Sequence, residues 1–159
     1  MSVVPRVSAY LDKAHVHYEL LKHARSFNSL SSAIASNIPL TQVVKAVILE
    51  DHESRKLMAI LPASHKINLN TLNELLHRQF HLMKEEDVFE LFKDCEHGAV
   101  PPVAQAYHMD RVYDECLLEQ SELYLEAGDH AYLMQIKKDG FAQLMDDAKC
   151  LHFSNQVFD

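Results

Sequence analysis

Hydrophobic residues recur every three or four positions in five segments of the chain, which is the spacing of an amphipathic helix. Near the N-terminus, for example, Val7 and Leu11 share a face with apolar neighbours. In two later segments Leu75 and Leu91 are expected to face inward with the leucines, valine and phenylalanine around them. The predicted helices are at residues 7–14, 29–36, 69–77, 85–92 and around 141–145.

Other segments are short, rich in β-branched residues and typical of strands. The segment VVKAVILED, residues 43–51, is apolar on both faces, as expected for a strand in the middle of a sheet. LMAILP, residues 57–62, has the same character and is predicted to pair with it through the polar turn at residues 52–55. Further strands are predicted at residues 17–23, 111–115, 121–128, 131–136 and 149–153, the last closing the sheet. Because helices and strands alternate irregularly, the expected class is α+β, with a mixed, mainly antiparallel sheet surrounded by helices.

The size and composition of the chain suit one domain spanning residues 1–159, since 159 residues with 48% hydrophobic content can form a single core. No apolar run approaches the roughly 18 residues of a membrane-spanning helix, and the first residues do not resemble a signal peptide. The three cysteines, Cys95, Cys116 and Cys150, form no CxxC motif. We therefore expect reduced thiols and a cytoplasmic location, with no membrane contact.

The charge of the chain restricts its contacts with nucleic acid. Fifteen Lys and Arg residues against 23 Asp and Glu give a net charge of −8. An extensive RNA or DNA binder usually carries a basic excess that neutralises phosphates, so only one end of an RNA is expected to be contacted. Arg6, Lys13, Lys22 and Arg25 make the N-terminal quarter locally basic. An acidic surface that serves only solubility remains the alternative.

A lysine interrupts the otherwise apolar central strand. Lys45 shares a face with Val43, Val47 and Leu49 by the two-residue period of a strand. Burial of an ammonium group is unfavourable unless an opposite charge pairs with it. No acid precedes Glu50 in this strand, so the partner would come from elsewhere or from a bound anion. Alternatively, the amine extends along the apolar surface to water.

Two further segments combine turn-forming residues with candidate chemistry. The sequence HGAVPPV, residues 97–103, joins a glycine to two consecutive prolines, so a stiff loop could present free backbone N–H groups to a carbonyl or an ester. Glu126, Asp129 and His130 surround Gly128 before a predicted strand, and a histidine there could act as an acid, a base or a hydrogen-bond donor. From the pattern alone, ordinary connecting loops are the commoner explanation of both segments.

The chain resembles the YbaK-like family of aminoacyl-tRNA deacylases, which includes the editing domain inserted in bacterial prolyl-tRNA synthetases. The resemblance extends over nearly the whole chain, from the first helix to about Met145. It rests on several segments in the same order rather than on any one of them. They are YLDKAHVHYELLKH, QVVKAVILED, LMAILPASHKINL, DCEHGAVPPVAQAY, RVYDECLL and YLEAGDHAYLMQI.

The resemblance implies which residues form the site. Lys45 matches the family's functional lysine, Gly98 and Pro102 match its GxxxP loop, and His130 matches the histidine of its AGDH turn. Pro101 is an additional proline inside the loop motif. Lys45, Gly98 and His130 are therefore the expected catalytic residues. The residues expected to contact the substrate are Tyr18, Phe27, Ser64, His65, Ala99, Pro102 and Asp129.

The resemblance also implies the reaction, which is hydrolysis of the ester between an amino acid and the terminal ribose of tRNA. Such an ester is already activated, so a positioned water and a stabilised oxyanion suffice, and no metal or cofactor is expected. Small amino acids such as Ala, Ser or Cys, mischarged on the tRNA for proline or a related tRNA, are the expected substrates. The expected partners are the acceptor end of the tRNA and an aminoacyl-tRNA synthetase.

Two other functions are alternatives to aminoacyl-tRNA hydrolysis. The eleven histidines suggest a metallohydrolase as one alternative. The chain has no HExxH motif, however, and Cys95 with His97 supplies too few ligands for a metal site. A non-catalytic module that binds tRNA ends or a synthetase through the same pocket is the second alternative. The acidic net charge favours this module, whereas the joint presence of Lys45, Gly98 and His130 favours the enzyme.

Overall fold

The computed structural model describes residues 3–22 and 37–157 of the chain. These residues form four α-helices, namely α1 (Pro5–Lys13), α2 (Leu69–Leu76), α3 (Glu85–Leu91) and α4 (Lys138–Leu144). The first five strands are β1 (Glu19–Lys22), β2 (Val43–Asp51), β3 (Lys56–Pro62), β4 (His65–Ile67) and β5 (Phe80–Leu82). The other five are β6 (Asp110–Asp114), β7 (Glu122–Glu126), β8 (Tyr132–Lys137), β9 (Lys149–Leu151) and β10 (Ser154–Gln156).

One main sheet has the order β1-β8-β7-β2-β3-β6-β9, with β5 beside β2, and β4 pairs with β10 in a small second sheet. Five of the eight strand pairings are antiparallel and three are parallel. The predicted α+β class with a mixed, mainly antiparallel sheet is therefore confirmed. None of the described helices is long and apolar enough to cross a membrane.

The predicted helices are confirmed wherever the structure describes them, although two inward positions were wrong. Helix α1 begins with a proline in its first turn and buries Val7 and Leu11. Helix α2 begins at Asn68, whose side chain accepts a hydrogen bond from the backbone N–H of Thr71. Leu75 and Leu91, however, are 46% and 37% exposed, because the helices are short and only a narrow stripe of each meets the sheet. The helix expected at residues 29–36 lies outside the described residues.

The central strand β2 has the predicted bounds and is buried on both faces. It pairs antiparallel with β3 from Val44 to Glu50, and the turn between them closes on the Asp51 carboxylate, which accepts the N–H groups of Glu53 and Arg55. On one face Val44 and Ile48 join a first hydrophobic cluster with α1, β7, β8 and α4. On the other face Leu49 joins a second cluster, whose largest members include Leu61, Leu72 and Phe153.

The second edge of β2 is only partly covered, and this leaves a gap in the sheet. Strand β7 pairs with β2 at Val43 and Val44 alone. Strand β5 pairs with the far end of β2, from Leu49 to Asp51. Residues 45–48 therefore have β3 on one side and no described strand on the other. An open stretch of strand edge inside a sheet offers unpaired backbone groups to a ligand.

Three short strands were not predicted from the sequence. They are β4, β5 and β10, each of three residues, which is too short to show a two-residue alternation. Strand β9 lies at the edge of the main sheet beside β6, where the sequence placed a closing strand. The predicted strand at residues 17–23 is observed as Glu19–Lys22, and His23 lies outside the described residues.

Candidate functional site

A cavity of about 220 Å³ occupies the gap beside β2. It lies between the open strand edge, the start of α3 and the loop that carries Gly98. Its walls are mostly apolar, with one carboxylate, that of Glu85. The described lining residues are Ala46, Val47, Ile48, Leu82, Met83, Glu85, Val88, Gly98 and Val100.

The floor of this cavity is backbone rather than side chain. The carbonyl of Val43 accepts the N–H of Ala63 at 2.7 Å on the β3 side, whereas the carbonyl of Ile48 accepts the N–H of Met83 at 3.0 Å on the other edge. Backbone groups of successive residues alternate between the two edges of a strand. Ala46 therefore presents both its N–H and its C=O to the gap, one donor and one acceptor for a bound molecule.

The Gly98 loop supplies further donors. Gly98 has a φ of 78°, a left-handed conformation that favours glycine. Within this loop Ala99 donates its N–H to the carbonyl of Glu96, and Val103 donates to that of Pro101. The N–H groups of Gly98 and Val100 donate to no backbone carbonyl of the described residues, and both residues line the cavity. Two free amides close together can stabilise a developing oxyanion.

His130 lies behind this loop rather than in the cavity. It is only 5% exposed, and its ring Nε2 bonds the carbonyl of His97. Its backbone N–H donates to the carboxylate of Glu96 at 2.9 Å, and the N–H of Glu96 donates to the carbonyl of Gly128 at 2.8 Å. The turn at residues 126–130 is thereby tied to the residues immediately before Gly98. His130 is absent from the described lining of the cavity, so the geometry gives it contact with the loop.

Gly128 makes this attachment sensitive to substitution. Its φ is 110°, and an added Cβ would lie 2.0 Å from Cγ2 of Val4. We expect Gly128→Ala to lower the free energy of unfolding by about 2–5 kcal/mol, the sum of left-handed strain and overpacking. Gly140→Ala is the comparison, because Gly140 has no positive φ and its variant therefore carries only overpacking, with a Cβ that would lie 2.9 Å from Cγ1 of the buried Ile136. Urea unfolding of both variants measures this, and equal midpoints would contradict the expectation.

Lys45 is not among the described residues that line the cavity, although the next residue of β2, Ala46, is. It stands opposite Leu61 of the second cluster, whereas Ala46 packs against the first. Burial lowers the pKa of the Lys45 ammonium, and the positive charge of Lys66 lowers it further. No carboxylate among the described residues forms an ion pair with Lys45. The Lys45 side chain is half-buried.

Several other expected contact residues have structural roles in the described chain. The Asp129 carboxylate accepts the N–H groups of Ala131 and Tyr132, at 3.0 and 3.1 Å, where β8 begins. Ala99 and Pro102 are buried, and the N–H of Ala99 already donates to the carbonyl of Glu96. Tyr18 is half-buried against the first cluster, where burial and the charge of Asp12 raise the pKa of its hydroxyl. Phe27 lies outside the described residues.

Ser64 and His65 lie at the end of β3 and the start of β4, on the side of Lys45. Ser64 is fully buried, and its hydroxyl has no hydrogen-bond partner among the described residues. His65 Nδ1 lies 2.8 Å from the hydroxyl of Ser154, and the positive charge of Lys45 acts on its ring. Neither Ser64 nor His65 is among the described residues that line the Gly98 cavity.

Most residues of the cavity wall could not be identified from the sequence. Ile48, Met83, Val88 and Val100 are apolar residues in apolar surroundings, and a pattern cannot distinguish them from core residues. Among the described residues, no three side chains of the His, Cys, Asp and Glu types lie together as ligands for a metal ion. Burial raises the pKa of Cys95 to about 12, so this thiol stays protonated at neutral pH.

Comparisons with solved structures show that this fold is widely used. One similar chain, described only as a hypothetical protein, has a TM-score of 0.83 at 21% identity, with 94% of this chain and 99% of that chain covered. Another is described as a candidate trans-editing enzyme for prolyl tRNA synthetase, with a TM-score of 0.80, 19% identity and 96% of each chain covered. A third, a candidate signal transduction protein from Marinobacter aquaeolei VT8, contains the fold in 30% of its length, at 19% identity and a TM-score of 0.76. Identities this low establish the fold alone.

Sequence comparison establishes the family. No curated protein sequence matches the chain significantly. The family model described as the aminoacyl-tRNA editing domain, however, matches residues 22–144, which include the gap in the sheet, the Gly98 loop and the turn before β8. The chain therefore belongs to the aminoacyl-tRNA editing domain family.

Proposed function

We propose that the protein hydrolyses the ester of a mischarged aminoacyl-tRNA and releases a small amino acid such as alanine, serine or cysteine. The tRNA for proline or a related tRNA is the proposed substrate, and the protein acts in trans. One observation carries the proposal. Gly98 and Val100, whose N–H groups donate to no backbone carbonyl of the described residues, line a cavity of about 220 Å³ beside the open edge of β2.

In this cavity the carbonyl carbon of the ester is attacked by water while its oxygen points to the amides of Gly98 and Val100. The C=O bond becomes a C–O⁻ bond in the tetrahedral intermediate, and the two N–H groups stabilise that charge. Collapse of the intermediate breaks the bond to the ribose oxygen, which receives a proton and leaves as a hydroxyl. The neighbouring 2′-hydroxyl of the ribose assists the water. No nucleophilic side chain is needed, because the ester is activated and positioned.

The α-ammonium group of the bound amino acid needs acceptors, and the cavity offers two. The carbonyl of Ala46 points into the gap, and the carboxylate of Glu85 lies at the wall. A charged carboxylate and a carbonyl together bind an ammonium group more strongly than they bind an apolar group. This pairing distinguishes an aminoacyl ester from a simple acyl ester.

Glu85→Gln is expected to raise KM for alanyl-tRNA about fivefold with little change in kcat, because one exposed charge pair of about 1 kcal/mol is lost. Glu86→Gln is a matched control. Glu86 also lies in the first turn of α3, so both variants lose the same favourable charge at the helix start, but Glu86 is not among the described lining residues. Steady-state kinetics of both variants measures this. An equal effect in the two would mean that Glu85 acts through the helix and not on the substrate.

Size explains the proposed selectivity. Ile48, Met83 and Val88 narrow a cavity of about 220 Å³, which is below the usual range for drug-sized ligands. A methyl, hydroxymethyl or thiomethyl side chain fits this volume beside the ester, and we propose that the side chains of Ile48, Met83 and Val88 exclude the ring of proline. Exclusion by size is worth about 1–3 kcal/mol per methylene, which suits an editing site that must spare the correctly charged tRNA.

His130 and Lys45 are proposed to act at different points. His130 positions the Gly98 loop through the carbonyl of His97, so it sets the direction of the loop amides. Lys45 anchors a phosphate of the terminal nucleotides, a role that fits a half-buried ammonium group with no carboxylate partner in the described part of the chain. A net charge of −8 disfavours free tRNA, so recruitment by a synthetase would raise the effective concentration of substrate.

The test is release of amino acid from alanyl-tRNA for proline by the purified protein. We expect hydrolysis well above the rate in buffer. Binding of the tRNA without any release would overturn the proposal and favour the non-catalytic module that the acidic charge suggests.

A further inference from the structure

An aromatic contact joins helix α3 to the residue that precedes Gly98. The ring centroids of Phe89 and His97 lie 3.9 Å apart with an angle of 25° between the planes, so the two rings are stacked. Both residues line a crevice of about 10 Å³, a volume at the lower limit for one water molecule. This crevice adjoins the cavity beside β2, because the two spaces have four described lining residues in common. They are Glu85, Val88, Gly98 and Val100.

Helix α3 itself is held in place by few contacts. None of its seven residues is buried. Before the helix, the N–H of Met83 donates to the carbonyl of Ile48 at 3.0 Å, and directly after it Phe92 is buried. Between these two attachments, the stack of Phe89 on His97 ties the helix to the loop on the other side of the crevice.

His97, by contrast, belongs to a firmly attached segment. Its carbonyl is bonded by the ring Nε2 of His130. The preceding residue, Glu96, accepts the N–H of His130 with its carboxylate at 2.9 Å and donates its own N–H to the carbonyl of Gly128 at 2.8 Å. The stack therefore fixes α3 relative to a loop whose own position is set by the turn before β8.

We propose that the stacked rings of Phe89 and His97 set the width of the cavity beside β2, and with it the largest amino acid side chain that the cavity accepts. Val88 of α3 and Val100 of the loop both line the cavity, so movement of the helix away from the loop enlarges it. Loss of the Phe89 ring also opens the crevice to the cavity. The amino acid as the bound group rests on the proposed function, whereas the contact between helix and loop does not.

The first test compares the single-turnover release of alanine and of valine from the tRNA for proline. We expect wild type to prefer alanine and Phe89→Ala to lower this preference about tenfold, because a pocket discriminates by about 10–200-fold per methylene. His97→Ala removes the other ring and should have the same effect, so it decides the question if Phe89→Ala does not fold. Phe89→Tyr keeps a stacked ring and should keep the wild-type preference.

Leu91→Ala is the matched control. Leu91 lies in the same helix as Phe89 and is 37% exposed, as Phe89 is, but it is not among the described residues that line the cavity or the crevice. Its variant should release alanine and valine as wild type does. An equal change of preference in Leu91→Ala and Phe89→Ala would mean that any truncation loosens α3, and the specific role of the stack would be overturned.

A second test measures the width of the cavity without hydrolysis. The full chain is titrated with L-alaninamide and with L-valinamide, and the NMR shifts of the Gly98 and Val100 amides report occupancy. Wild type should bind alaninamide more tightly than valinamide, and Phe89→Ala should bind valinamide about tenfold more tightly than wild type does. A folded Phe89→Ala protein that gains nothing for valine in either test would overturn the inference.

The two proposals fail in different ways. Wild-type protein that releases alanine, together with a Phe89→Ala variant that keeps the full preference for alanine over valine, would overturn the role of the stack alone. Protein that releases no amino acid, but gains valinamide binding in Phe89→Ala and not in Leu91→Ala, would support the role of the stack and overturn the hydrolysis.

Discussion

Replacing Gly98 by valine is expected to lower the rate of ester hydrolysis about 10²–10³-fold, the usual effect of losing an oxyanion donor. The branched side chain would stand between the loop amides and the substrate carbonyl. Because Gly98 has a φ of 78°, the variant also carries strain of about 1–2 kcal/mol, which is small enough for the fold to persist. Single-turnover deacylation measures the loss.

The control for this experiment is Gly140→Ala, which changes a glycine in α4 that does not line the cavity. It should hydrolyse at the wild-type rate. Circular dichroism and the unfolding midpoint establish that Gly98→Val is folded. A folded variant with unchanged turnover would show that the loop is only a connection between elements.

Lys45→Met is expected to lower hydrolysis about 10²-fold and yet to leave the protein as stable as wild type or more stable. The two effects separate because burial lowers the pKa of this lysine, so the unfolded chain holds the proton more tightly than the folded one. At neutral pH, which lies below the ordinary lysine pKa of about 10.4 that the unfolded chain retains, this shift therefore opposes folding, and Lys45→Met removes it. Thermal unfolding and deacylation on the same sample measure both.

Lys56→Met provides the opposite pattern. Lys56 lies on the neighbouring strand, but its amine forms an ion pair with Glu50 at 2.5 Å. Its replacement leaves that carboxylate without its partner and should lower stability while hydrolysis stays unchanged. If Lys45→Met destabilised the fold and Lys56→Met did not, the ammonium of Lys45 would have a structural partner and would not be reserved for the substrate.

The strands that could be predicted are those whose pattern is long enough to be unambiguous. Strand β2 was predicted with its observed bounds, because nine residues apolar on both faces fit only the middle of a sheet. Strands β4 and β10 were not predicted, because each has only three residues. The two strands pair with each other although they are far apart in sequence: His65 and Ser154, which are in contact, are separated by 89 positions. Local periodicity contains no information about such pairings.

The candidate site could be predicted in part. The glycine loop and the histidine turn were recognised from their residue types, and the structure ties them together through Glu96 and His97. The gap beside β2 could not be predicted, because it depends on how far β7 extends along the strand. The hydrogen bonds that link Asp114 to Ser154 and Ser154 to His65 could not be predicted either, since these residues meet only after β6, β4 and β10 have assembled.

The most direct test of the central claim compares the release of alanine, serine, cysteine and proline from the tRNA for proline, under single-turnover conditions. Wild-type protein should release at least one of the three small residues well above the rate in buffer and should leave prolyl-tRNA intact. Gly98→Val should release none of them. No release of any amino acid by wild type, or equal release of proline, would contradict the assignment of a size-selective hydrolytic site to the cavity beside β2.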